Sequence, residues 1–181
     1  MSPPTHLYAQ MLATCKECGI RPSDDVLLVS IGEQKLWHFR AGTLHREYPV
    51  STGAAPPSER EGSGGTPQGL HRVVERIGDD APLGMIFEGR RPTGRIATIP
   101  PGNPDEPNRI TTRIMRLRGL EPGRNAGPGC DSYERFIYIH GTNREDRIGT
   151  PASGGCVVLA NHDMLRLFND TSENTLVWIQ R

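Results

Sequence analysis

Glycine and proline fill a fifth of this chain, 21 and 16 of its 181 residues, and they recur between short apolar runs along its whole length. Both residues break helices and supply turns, so a bundle of long helices is excluded. Between the breaks lie VLLVSI, KLWHFR and LHREYPVS, rich in β-branched and aromatic side chains and separated by Gly32-Glu33-Gln34 and Ala41-Gly42. They predict an antiparallel meander. Further strand signals stand at LHRVVERI, GMIFEG, ITTRIMRL, FIYIH and TLVWIQ.

Two helices complete the pattern. Thr5 offers a cap, after which Leu7, Met11, Leu12, Cys15 and Cys18 recur at helical spacing until Gly19. The second helix is expected from Asn161, acting as its cap, through Asp163, Met164, Leu165, Leu167 and Phe168. The expected fold is mainly β with edge helices (α+β), a sandwich or barrel. Residues 1–24 are expected to form an N-terminal helical extension and residues 25–181 the main domain. Residues 52–69 are too rich in Gly, Pro and Ser to be an element, and their glycine cluster reads as a flexible lid. It lacks the Lys-Ser/Thr of a phosphate loop. The run Arg90, Arg91, Arg95 with Pro92 reads as a solvated loop.

Charge limits the partners. Lys plus Arg and Asp plus Glu number 21 each, so no global positive field exists for nucleic acid or an anionic bilayer. No apolar run approaches the roughly 18 residues of a membrane span. The first thirty residues lack the pattern of an export signal, so a cytoplasmic location is expected, or a periplasmic one should an export segment precede Met1. Four cysteines are too few for a disulfide scaffold. Cys15 and Cys18 form a single CxxC without a second ligand pair, and they read as small hydrophobes on a helix face. No metal and no cofactor is expected. His6, His38, His45 and His162 read as surface or strand residues, whereas His71, just after TPQGL, is expected to look into the cleft.

The chemistry concentrates in IHGTNREDRIGTPASGGCVVL, residues 139–159. A strand delivers His140 at its end, and a loop leads through Ser153, Gly154 and Gly155 to Cys156. A free thiol with a pKa of about 8.5 is largely protonated at neutral pH, so nucleophilic cysteine needs a base, and an imidazole supplies one. Two glycines before the cysteine leave a substrate carbonyl unobstructed, and the amides of Gly155 and Cys156 are placed to meet a developing oxyanion. ASGG echoes a serine-protease loop, but the preceding acid and a third triad member are missing.

HGTN, then IG, then S-x-G-C resembles the signature of the L,D-transpeptidase catalytic domain, the YkuD domain. VSIGEQKLWHFRAGTLHREYPVSTG and GTPQGLHRVVERIG are similar to its opening meander and TPxG segment, so the likeness runs from about Val26 to the end. The resemblance implies a YkuD-like β-sandwich or barrel in which Cys156 attacks the L,D bond between the third-position diamino acid and the D-Ala of a peptidoglycan stem peptide. It makes His140 the base and then the acid, Gly141 the carbonyl that orients the imidazole, and Ser153, Gly154 and Gly155 the approach to the oxyanion hole. Thr142 joins the positions near substrate. The family commonly carries His or Lys where Gly154 stands and Arg where Val158 stands; Arg144 and Arg147 are the expected substitutes. The resemblance also implies carbapenem-type β-lactams as covalent inhibitors. With a cytoplasmic location the acceptor would be water, making an L,D-carboxypeptidase of peptidoglycan recycling. The alternatives are an L,D-transpeptidase forming cross-links, and a non-catalytic peptidoglycan-binding module.

Overall fold

Leu27 and Val29 leave β1 (Asp25–Ser30) on one face, Val26 and Leu28 on the other, and all four are buried. A strand covered on both faces requires apolar layers above and below, and this chain supplies both. The computed structural model describes residues 3–99 and 106–181. In it β1 pairs antiparallel with β2 (Lys35–Arg40), and β2 with β3 (Thr43–Pro49), which is the expected meander. On its other edge β1 runs parallel to β10 (Leu176–Gln180), which continues into β4 (Gly69–Ile77) and β7 (Ile110–Gly119).

β7 is long enough to take β4 and β5 (Met85–Glu88) along one edge and β8 (Tyr138–Thr142) along the other. β8 in turn pairs with β9 (Val157–Leu159), so the last two strands branch from the main path. The result is a mostly-β fold built on one curled, ten-stranded sheet with two helices. β6 (Arg91–Ile96) corrects the sequence reading: the arginine run predicted as a loop is an edge strand on β5. Pro92 is compatible with a strand there because a sheet margin demands no further hydrogen bond.

Two apolar layers hold the sheet. On one face Leu27, Leu36, Tyr48, Val73, Met115, Ile139 and Val157 pack beneath Met164, Leu167 and Phe168 of α2 (Asn161–Asp170). On the other, Val26, Leu28, Trp37, Phe39, Leu70 and Leu176 are covered by Met11 and Cys15 of α1 (Pro3–Glu17). The N-terminal segment thus shares a core with the rest. Cys15 behaves as the small hydrophobe expected of it, whereas Cys18 is exposed. No helix among the described residues is long and apolar enough to cross a membrane.

Asn161 departs from expectation. Ala160 is the cap of α2, and Asn161 is its first residue, fully buried. Its side chain accepts from the hydroxyls of Thr111 (2.6 Å) and Thr112 (2.5 Å) and donates to the Thr142 carbonyl (2.6 Å) and Glu145 (2.7 Å). Glu145 also accepts the Asn161 backbone N–H at 2.7 Å, so a carboxylate sits at the helix N-terminus, where the dipole favours it.

Candidate active site

β8 and β9 run parallel with His140 opposite Val158 and Ile139 opposite Val157. One step further along this register, Cys156 falls beside Tyr138. Residues two apart on a strand share a face, so Cys156 and His140 stand on the same side of the pair. β9 and the loop that precedes it are pinned from outside: Ser51 bridges Val158 and Gly53 bridges Ser153.

His140 is buried, and its Nδ1 lies 2.7 Å from the carbonyl oxygen of Gly141. A carbonyl only accepts, so Nδ1 carries the proton and Nε2 presents the lone pair. Burial pushes the imidazole pKa down to about 4, with the Gly141 carbonyl pulling the other way, so the ring is neutral at neutral pH. Gly141 has to be glycine, because a Cβ there would lie 2.7 Å from the Thr111 carbonyl oxygen and 2.9 Å from Oδ1 of Asn161.

Cys156 rests as a thiol. Its Sγ accepts the Tyr138 N–H at 3.4 Å and donates to the Phe136 carbonyl at 3.5 Å. Burial drives its pKa up to about 11, against the smaller opposing pull of the Tyr138 amide and Arg135. Both shifts favour the neutral thiol and the neutral imidazole over a preformed thiolate–imidazolium pair. The thiol proton points at Phe136, a non-glycine residue with φ of 56°, whose left-handed turn brings its carbonyl to the sulfur.

Of the two amides expected to meet an oxyanion, one is engaged. Ser153 Oγ donates to the Cys156 carbonyl at 2.6 Å and accepts the Gly155 N–H at 3.1 Å, leaving the Cys156 amide as the member of the pair that Ser153 does not hold. Gly155 has φ of 123°, and a Cβ would lie 3.1 Å from the Gly65 carbonyl oxygen. Above Gly154, by contrast, a Cβ would meet nothing within 4 Å.

The other expected residues divide. Thr142 is buried and braces its own loop, donating to Asn108 at 2.6 Å and accepting the Arg144 N–H at 2.8 Å. Arg144 forks onto Asp146 at 2.9 and 2.8 Å and is buried, whereas Arg147 is exposed in the short 3-10 turn Glu145–Arg147. His71 does not reach the cleft: it is fully buried, with its ring nitrogens 3.0 Å from the Gly69 carbonyl and 2.9 Å from Ser132 Oγ. Its place on β4 turns it into the core.

Arg135 carried no signal in the sequence, since its partners lie 70 or more residues away. Its guanidinium donates to the Ser58 carbonyl (3.0 Å), Ser63 Oγ (3.3 Å) and the Gly65 carbonyl (2.8 Å). The glycine cluster expected as a flexible lid is thus fastened beside Gly155. Between them runs a groove of about 350 Å³ bordered by Glu61, Gly64, Glu134, Arg135, Phe136 and Gly154.

Comparison with known proteins supplies the family and the fold. A family model for the L,D-transpeptidase catalytic domain (YkuD) matches residues 24–179. A probable L,D-transpeptidase ErfK/SrfK of Salmonella typhimurium is 30% identical over 158 residues, 84% of this chain and 43% of that protein, so the chain spans less than half of its relative. Among solved structures, an L,D-transpeptidase from Mycobacterium smegmatis has a TM-score of 0.54 at 15% identity, covering 87% of this chain and 59% of its own. One from Xylanimonas cellulosilytica has a TM-score of 0.54 at 20% identity, covering 93% and 68%. L,D-transpeptidase 3 from Mycobacterium tuberculosis, solved with a faropenem-derived adduct, has a TM-score of 0.54 at 18% identity, covering 87% and 60%. These three share the fold.

Proposed function

The chain belongs to the L,D-transpeptidase catalytic (YkuD) domain family, and from that premise we propose that it is a cysteine acyl-transfer enzyme acting on peptidoglycan stem peptides. The observation that supports the reading is the His140 tautomer set by the Gly141 carbonyl, together with a β8–β9 register that puts His140 and Cys156 on one side of the strand pair. Attack begins with a turn of the Cys156 side chain away from Phe136. The thiol proton passes to Nε2 as the sulfur bonds to the carbonyl carbon between the third-position diamino acid and D-Ala. Proton loss and bond formation are coupled, because burial disfavours a free thiolate beside a charged imidazole.

The tetrahedral oxyanion takes the Cys156 N–H. It collapses as the C–N bond breaks and His140 returns its proton to the departing D-Ala amine, leaving a thioester. Water, deprotonated by Nε2, then releases the tripeptide carboxylate. Water is the proposed acceptor because Gly154 lies open and Val158 is sealed in β9, so neither supplies a side-chain contact for a larger acceptor strand. This is an L,D-carboxypeptidase. By likeness to relatives solved with β-lactam adducts, a carbapenem is proposed to acylate the same sulfur.

The test incubates the protein with a tetrapeptide muropeptide. Tripeptide and free D-Ala in equal amounts are expected; cross-linked dimers would make the acceptor an amine. Neither product, together with no carbapenem adduct by mass spectrometry, would leave a module that only holds peptidoglycan.

A further inference from the structure

One corner of the sheet gathers ligating side chains that the proposed chemistry does not use. His38 on β2 is fully buried, and its Nε2 lies 2.6 Å from Oδ1 of Asp25 on β1. The carboxylate accepts, so Nε2 holds the proton and Nδ1 the lone pair. That Nδ1 is buried with no hydrogen-bond partner among the described residues. Orphaned buried acceptors are uncommon and call for an explanation. Edge-on to the same ring, with centroids 5.0 Å apart, stands His45 of β3, whose Nε2 is 3.5 Å from Oδ2 of Asp170 at the end of α2. One donor atom from each of His38, His45 and Asp170 lies within 4.8 Å of the other two.

We propose that His38, His45 and Asp170 form a binding site for a divalent metal of the zinc type, with Asp25 supporting His38 from behind and a fourth position open to solvent. Two imidazoles and one carboxylate suit zinc, cobalt or nickel, not the all-oxygen shells of calcium and magnesium. A ligand histidine whose second nitrogen is held by a carboxylate is the usual outer arrangement of such sites.

The backbone serves the geometry. The register of β2 with β3 shifts between His38 and Phe39, and the bulge aims His45 toward the helix end. Asp170 lies in the last turn of α2, where the helix dipole favours a cation. Arg40, the nearby positive charge, is engaged by Asp25 at 2.9 Å and the Asp170 carbonyl at 2.6 Å. Bonds of about 2.0–2.2 Å bring donor atoms to roughly 3.3 Å apart. His45 and Asp170 are near that already, and exposed His45 is free to close the remainder. The bound ion would clamp the β2–β3 hairpin to the end of a 10-residue helix, about 15 Å long, whose other end meets β8 through Asn161.

The experiment titrates the intact chain with Zn²⁺ by calorimetry, follows Co²⁺ by visible absorption, and repeats both on His45→Ala and Asp170→Asn. One equivalent is expected to bind. Affinity should fall at least about tenfold in each variant, and excess Zn²⁺ should raise Tm by roughly 5 °C or more in the parent only. Absence of binding to the parent chain overturns the proposal and leaves His38 and Asp25 as a structural pair. Binding undiminished in both variants overturns it too, and would place the metal on the thiols.

Discussion

The backbone N–H of Tyr138 meets the sulfur of Cys156 at 3.4 Å, so the strand that presents His140 also holds the thiol at rest. With the thiol pKa pushed up to about 11 and the imidazole pushed down to about 4, neither group is charged near neutrality. Alkylation of Cys156 by iodoacetamide should accelerate steadily from pH 7 to 10. A rate that levels off below pH 8 would signal a preformed ion pair and contradict this account.

Acid should unfold the protein through its buried imidazoles. His71 and His140 both have folded pKa values of about 4, below the ordinary 6.5. The unfolded chain therefore binds protons first, so the contribution of these two histidines is intact above pH 6.5, falls as pH drops toward 4, and is fully lost below that. Each group contributes up to about 3 kcal/mol to the loss. Urea denaturation at pH 7, 5.5 and 4 reads it, and a flat profile across that range would refute it.

Gly141→Ala and Gly154→Ala should separate cleanly. The first places a Cβ 2.7 Å from a backbone oxygen that cannot yield, and the second places one in open space. The expected losses are about 1–3 kcal/mol for Gly141→Ala and within about 0.5 kcal/mol for Gly154→Ala. Thermal melts measure both, and equal effects would mean that Gly141 is not the tight position.

Arg135→Met should release the glycine-rich segment. Three hydrogen bonds donated to Ser58, Ser63 and Gly65 disappear, two of them to backbone carbonyls. Limited proteolysis should then cut within residues 58–65, and stability should drop by about 1–3 kcal/mol. Parent-like resistance would show that the segment holds itself.

The meander is legible in VLLVSI and KLWHFR because those strands carry apolar side chains on both faces and turn residues between them. β6 is not, since Pro92 and Gly94 read as breakers and only an edge position admits them. The mouth around His140 and Cys156 is legible because its residues lie close together in sequence; its supports are not. Asn161 looks like a helix cap because Asn favours that place, and its burial depends on Thr111 and Thr112, 50 and 49 residues away. His71 reads as a cleft residue because it follows TPQGL, and its partner Ser132, 61 residues away, makes it an interior one.

Helix α1 has one more implication. Met11 and Cys15 lie over Val26, Leu28, Trp37, Phe39, Leu70 and Leu176. The family match begins at residue 24, after this helix has ended. A polypeptide started at that point would bare an oily plane broad enough to stick to its own copies, so anyone who trims the domain to its family limits should anticipate clumping, and should carry the first turns of the chain along.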